Sequence, residues 1–113
     1  MAHTLIASDR VEGTAVYDKS GNHIGDIERV MIDKVSGKVA YAVLSFGGFL
    51  GIGEDYYPLP WSVLDYVPEK EGFVVPITKE QLNSAPSYGA NDDFDWGDRT
   101  SVEQIRKHYS GWA

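Results

Sequence analysis

The sequence predicts an all-β fold, a small antiparallel sheet or barrel followed by a short helix and a C-terminal helical arm. Three observations carry this expectation. Short apolar runs rich in Val, Ile and Tyr recur at close spacing between turn clusters containing Gly, Asn and Ser. A chain of 113 residues suits one domain, and with 42% hydrophobic residues it can bury a core. Cysteine is absent, so disulfides, thiolate metal sites and thiol nucleophiles are all excluded.

Residues 14–17 read as a first short strand, closed by the turn Asp18-Lys-Ser-Gly-Asn22, where Gly21 or Asn22 can take positive φ. Residues 24–33 form the next run. Its alternation slips near Glu28, which predicts a β-bulge or a barrel corner. After a second turn at 34–37, residues 38–46 are apolar on both faces and mark the central strand. Residues 47–53, Gly-Gly-Phe-Leu-Gly-Ile-Gly, satisfy neither G-x-G-x-x-G nor G-x-x-x-x-G-K-[ST], and no helix follows. They read as a glycine-rich hairpin whose Phe49, Leu50 and Ile52 cover the core or offer an apolar docking tip.

Residues 60–67 give a turn and a strand, 69–72 a reversal, and 73–77 the last strand. Thr78-Lys-Glu-Gln81 has the form of a capping box and starts a short helix ending near Ser84. Residues 1–86 thus read as the barrel, and 87–113 as an appendage. The appendage begins as a polar, aspartate-rich linker. A second capping-box pattern, Thr100-Ser-Val-Glu103, opens a helix to about Tyr109, with Val102, Ile105 and Tyr109 on one face. A helix this short is marginal alone. It is expected to dock on the barrel or on another subunit, with Trp96 and Trp112 as anchors.

The net charge of −7 argues against nucleic-acid binding, which needs a basic face. No basic n-region precedes the apolar start, and the longest uncharged stretch, 39–53, is broken by glycines, so a protein without membrane insertion, in the cytoplasm, is expected. Asp93, Asp95 and Asp98 are the candidate metal ligands. Counted as an EF-hand from Asp93, Gly97 falls at position 5 and Gln104 at 12; from Asn91, Trp96 falls at 6 and Val102 at 12. Neither register fits. His3, His23 and His108 have no ligand spacing among them. His23 could pair with Asp26, but no nucleophile signature accompanies it, so no catalytic residue and no cofactor are expected. The seven tyrosines and three tryptophans suit core, closure and subunit-contact roles.

The order of these signatures resembles a PRC-barrel domain. The similarity runs through Ser8-Asp-Arg-Val-Glu-Gly13, Val16-Tyr-Asp18, Ile24-Gly25, Val30-Met-Ile-Asp33, Ser36-Gly37-Lys-Val39, Tyr41-Ala-Val43, Tyr57-Pro-Leu-Pro-Trp61 and Ala85-Pro86. The resemblance implies a small, strongly bent antiparallel PRC-type β-barrel acting as a docking and assembly module in a bacterial cytoplasm. It supplies no catalytic residues. The expectation is a non-catalytic protein-interaction module that self-associates and holds protein partners through Phe49, Leu50, Ile52, Trp96, Ile105, Tyr109 and Trp112. Three alternatives stay open: an accessory of photosynthetic reaction-centre or electron-transport complexes like the H subunit, ribosome small-subunit maturation through a protein contact, and a small-ligand or metal-binding protein.

Overall fold

The computed structural model describes residues 5–49, 52–89 and 93–111, with backbone alone at 47–49 and 52–54. A one-turn helix α1 (Ser8–Val11) leads into β1 (Ala15–Tyr17), β2 (His23–Ile32), β3 (Val39–Phe49) and β4 (Ile52–Pro60). A 3-10 turn at Trp61–Val63, β5 (Asp65–Val67), a second 3-10 turn at Pro68–Lys70 and β6 (Gly72–Val74) follow. The chain ends in α2 (Lys79–Asn83), β7 (Tyr88–Gly89) and α3 (Arg99–His108). The seven strands form one sheet in the order β5-β6-β1-β2-β3-β4-β7. The expected all-β class and bent sheet are what forms. One ladder departs from the antiparallel rule: β1 pairs β6 in parallel, Val16 opposite Phe73.

Register shifts bend the sheet. One on β2 falls between Ile27 and Arg29, where the alternation breaks in the sequence. Two more extra residues, Ile24 opposite β1 and Ala40 opposite the end of β2, add further corners. The glycine-rich stretch is mostly strand: β3 continues to Phe49 and β4 starts at Ile52, with Phe49 opposite Ile52. The side chains of Phe49, Leu50 and Ile52, like His3 and Trp112, lie outside the described residues. Among the described residues β7 pairs with Asp55 and Tyr56 alone, so Pro58 and Pro60 lie where β4 has an open edge, a place that tolerates proline.

The turns are held by aspartates. The Asp18 carboxylate accepts from the Ser20 and Asn22 amides, each at 2.9 Å, and from the Asn22 side chain at 3.1 Å. Asp33 accepts from the Val35 and Ser36 amides at 2.9 and 3.1 Å. These hydrogen bonds, from Asn22 foremost at Asp18 and from Ser36 foremost at Asp33, hold both carboxyls below their ordinary value of 3.8. The sign follows from linkage: a carboxyl lowered in the folded state stabilises fully above about pH 4, and that contribution is lost as pH falls through the folded value. The thermal midpoint should therefore drop on acidification below about pH 4. The double change Asp18→Ala, Asp33→Ala should flatten that drop; an unchanged slope in a pH series of melts would refute the assignment.

The core gathers Val16, Ile27, Ala42, Leu44, Leu59, Phe73, Val75, Ile77 and Leu82. The capping box of α2 forms as read: Thr78 Oγ1 accepts from the Gln81 amide, and Gln81 Oε1 accepts from the Thr78 amide. Two expectations for the arm need correction. Helix α3 starts at Arg99, not after Thr100, because Asp98 is the cap: its carboxylate accepts from the Thr100 amide at 3.1 Å and the Ser101 hydroxyl at 2.9 Å. And the described residues of 87–97 are not solvated throughout, although Asp93, Asp95 and Gly97 are exposed. Tyr88-Gly89 pairs with β4, and Phe94 and Trp96 are half-buried. Ile105 and Tyr109, on one face of α3, are each 0% exposed and complete the same core cluster. Of the two docking modes expected for the arm, the described chain takes the one on its own barrel.

Candidate functional site

The open end of the sheet is the first place where the fold presents recognition chemistry. Among the described residues strand β5 is terminal, paired on one side alone, with Asp65, Tyr66 and Val67 opposite Val74, Phe73 and Gly72 of β6. Its free backbone groups are a template for another strand. The 3-10 turn before it places Trp61 against Phe73 at 5.5 Å between ring centres, and Tyr66 packs on the same ring at 5.3 Å. Phe73 is buried, Trp61 half-buried, and Tyr66 is 46% exposed. The edge thus carries an aromatic patch seated on a buried ring.

The second place is a cleft of about 960 Å³ between α3 and the ends of β3 and β4. Ala40, Tyr41, Pro60 and Ser62 line the barrel side; Arg99, Thr100, Glu103, Arg106 and Lys107 are among those lining the helix side. Glu103 and Arg106 pair across one turn of the helix at 3.1 Å. Burial pushes the Tyr41 hydroxyl up, while the Arg106 charge pulls it down and Glu103 raises it, so these charges reach the cleft floor. A smaller hollow of about 410 Å³ adjoins Gln104 and Lys107, reaching Ser84, Pro86 and His108.

A run of rings crosses the sheet beside the cleft. Trp96 contacts Tyr41 at 5.3 Å and Phe94 at 4.7 Å; Phe94 stacks on Tyr88, and Tyr88 meets Tyr56 edge-on. The guanidinium of Arg29 lies 5.5 Å from the Tyr56 ring centre. Trp96, an expected anchor, therefore packs on its own chain's β3. Ile105 and Tyr109 sit below the surface on the core side of α3.

The candidate metal ligands do not converge. Asp95 accepts from the Gly97 amide at 2.9 Å, Asp98 is occupied in capping, and Asp93 is exposed. Among the described residues no group of three His, Cys, Asp or Glu side chains could hold a metal ion. The extra residue Ile24 does bring His23 and Asp26 to one side of β2, 3.0 Å apart. Their side chains are 52% and 54% exposed, so the pair lacks the desolvation that acid–base catalysis uses. Sequence reading missed Tyr66 and the cleft residues Arg99 and Lys107. For Lys107 a signal exists in the basic run Arg106-Lys107-His108 in the last turn of α3, although such residues also suit the helix dipole there.

Among the described residues no helix is long and apolar enough to cross a membrane. The family profile of the PRC-barrel domain matches residues 3–82. No curated protein is similar enough to the chain to match it.

Proposed function

Because the chain belongs to the PRC-barrel domain family, we propose that it is a non-catalytic docking module that self-associates through the open edge of its sheet. One observation carries the reading: among the described residues, terminal strand β5 has no partner strand on its outer side and stands Tyr66, 46% exposed, beside Trp61. Strand pairing between copies would satisfy that backbone, and a two-fold arrangement would bring the two aromatic patches together. Large rings with little rotamer entropy at the centre of a contact dominate association energies. The surface position of the His23–Asp26 pair supports the non-catalytic part.

The test is light scattering across a concentration series, comparing wild type with Tyr66→Lys. A lysine on an edge strand opposes pairing with another strand. Wild type should have at least twice the monomer mass, and the variant should be a monomer with an unchanged far-UV spectrum. A wild-type monomer throughout, or a variant of unchanged mass, would overturn the proposal.

A further inference from the structure

We propose that the cleft along α3 binds an acidic peptide segment of a partner protein that carries an apolar anchor. The proposal deepens the docking reading and rests on it in one respect, that the ligand is a protein; the surface is separate from the β5 edge. Its floor is Ala40, Tyr41 and Pro60, each half-buried, and its helix side carries Arg99, Arg106 and Lys107. Arg106 shares its charge with Glu103 at 3.1 Å. Among the described residues, no carboxylate lies within ion-pair distance of Arg99 or Lys107. On a chain of net charge −7, positive charge gathered on one wall over an apolar floor marks that wall for anions.

The shape favours a peptide over a small anion. Arg99 and Lys107 are eight residues apart on α3, about 12 Å at the helical rise, so the cations form a row and not a convergent cage. A row suits carboxylates spaced along an extended chain, while the floor takes the side chain between them. An extended polyanion such as nucleic acid would meet the negative remainder of the surface.

The experiment is a fluorescence-anisotropy titration of the full chain with a labelled peptide of glutamates around a central phenylalanine–leucine pair, beside its lysine counterpart. The glutamate peptide should bind and the lysine peptide should not. The double variant R99E, K107E should bind the glutamate peptide about tenfold more weakly, since two attractions become repulsions. Both positions are exposed, and an unchanged far-UV spectrum will show that the variant folds. Failure of the glutamate peptide to bind, equal binding of both peptides, or undiminished binding by the double variant would overturn the proposal. So would binding to phosphatidylglycerol vesicles without binding to the peptide, which would assign the cleft to lipid. The double variant should keep the wild-type mass in light scattering, so a failed cleft and a failed edge contact give different results.

Discussion

Replacing Tyr109 with alanine is expected to cost about 3–5 kcal/mol, the largest loss from any single truncation in the arm. Tyr109 is 0% exposed and belongs to the cluster that holds Leu44, Leu59 and Leu82. Its hydroxyl is pushed well above the ordinary tyrosine range by burial, with the neighbouring Tyr57 adding to the effect. Alanine would leave a ring-sized void beneath a helix that cannot collapse into it, because Ile105, buried one turn earlier, and the Asp98 cap at the far end hold α3 in place. Ile105→Ala removes a smaller side chain from the same cluster and should cost about 2–4 kcal/mol. A domain of this size has about 5–15 kcal/mol in total, so the two changes together should leave little folded protein. Urea unfolding should show a lower midpoint with the slope retained; a loss under about 1 kcal/mol for Tyr109→Ala would mean that the arm is dispensable to the core.

The second large effect concerns a glycine in the bent centre of the sheet. At Gly25 a Cβ would collide with the Ser45 carbonyl oxygen and come within 2.9 Å of Leu44 Cδ1. The first obstacle is backbone in the β2–β3 ladder and cannot rotate away. Gly25→Ala should therefore cost about 3 kcal/mol despite adding a single methyl group. Gly111 makes the control: among the described residues a Cβ there meets nothing within 4 Å, so Gly111→Ala should change stability by less than about 0.5 kcal/mol. Equal effects of the two substitutions would contradict the close approach of β2 and β3. That approach matters for function, because β3 supplies Ala40 and Tyr41 to the cleft and must be held against β2 to do so.

Much of the fold is legible in the sequence wherever the cause is local. The Asp18 and Asp33 turns, the Thr78 capping box and the slip near Glu28 each depend on neighbours within a few residues, and each appears where it is read. The cap of α3 was legible in kind but not in place. Asp98 and Thr100 both suit the position, and the stronger acceptor takes it, binding the Thr100 amide and the Ser101 hydroxyl at once. The parallel pairing of β1 with β6 and the two-residue β7 were not legible. Strands this short carry no periodic signal, and partners such as Val16 and Phe73 are far apart in sequence. The candidate surfaces fall in the same class. Ala40 and Pro60 meet Arg99 and Lys107 only after α3 docks, and Tyr66 reads as any strand aromatic until β5 proves to be the end of the sheet.

The arm is thus part of the barrel's core, and the cleft exists because the arm is held there. Native-state hydrogen exchange read at the amides of α3 and β3 tests this most directly. The account predicts that the amide of Tyr109, which donates to the Ile105 carbonyl at 3.2 Å, and the most protected amides of α3 open with the same free energy as those of Val43 and Leu44. Exchange of the α3 amides by a separate opening several kcal/mol easier than that of β3 would contradict it, and would return residues 99–111 to the status of an appendage.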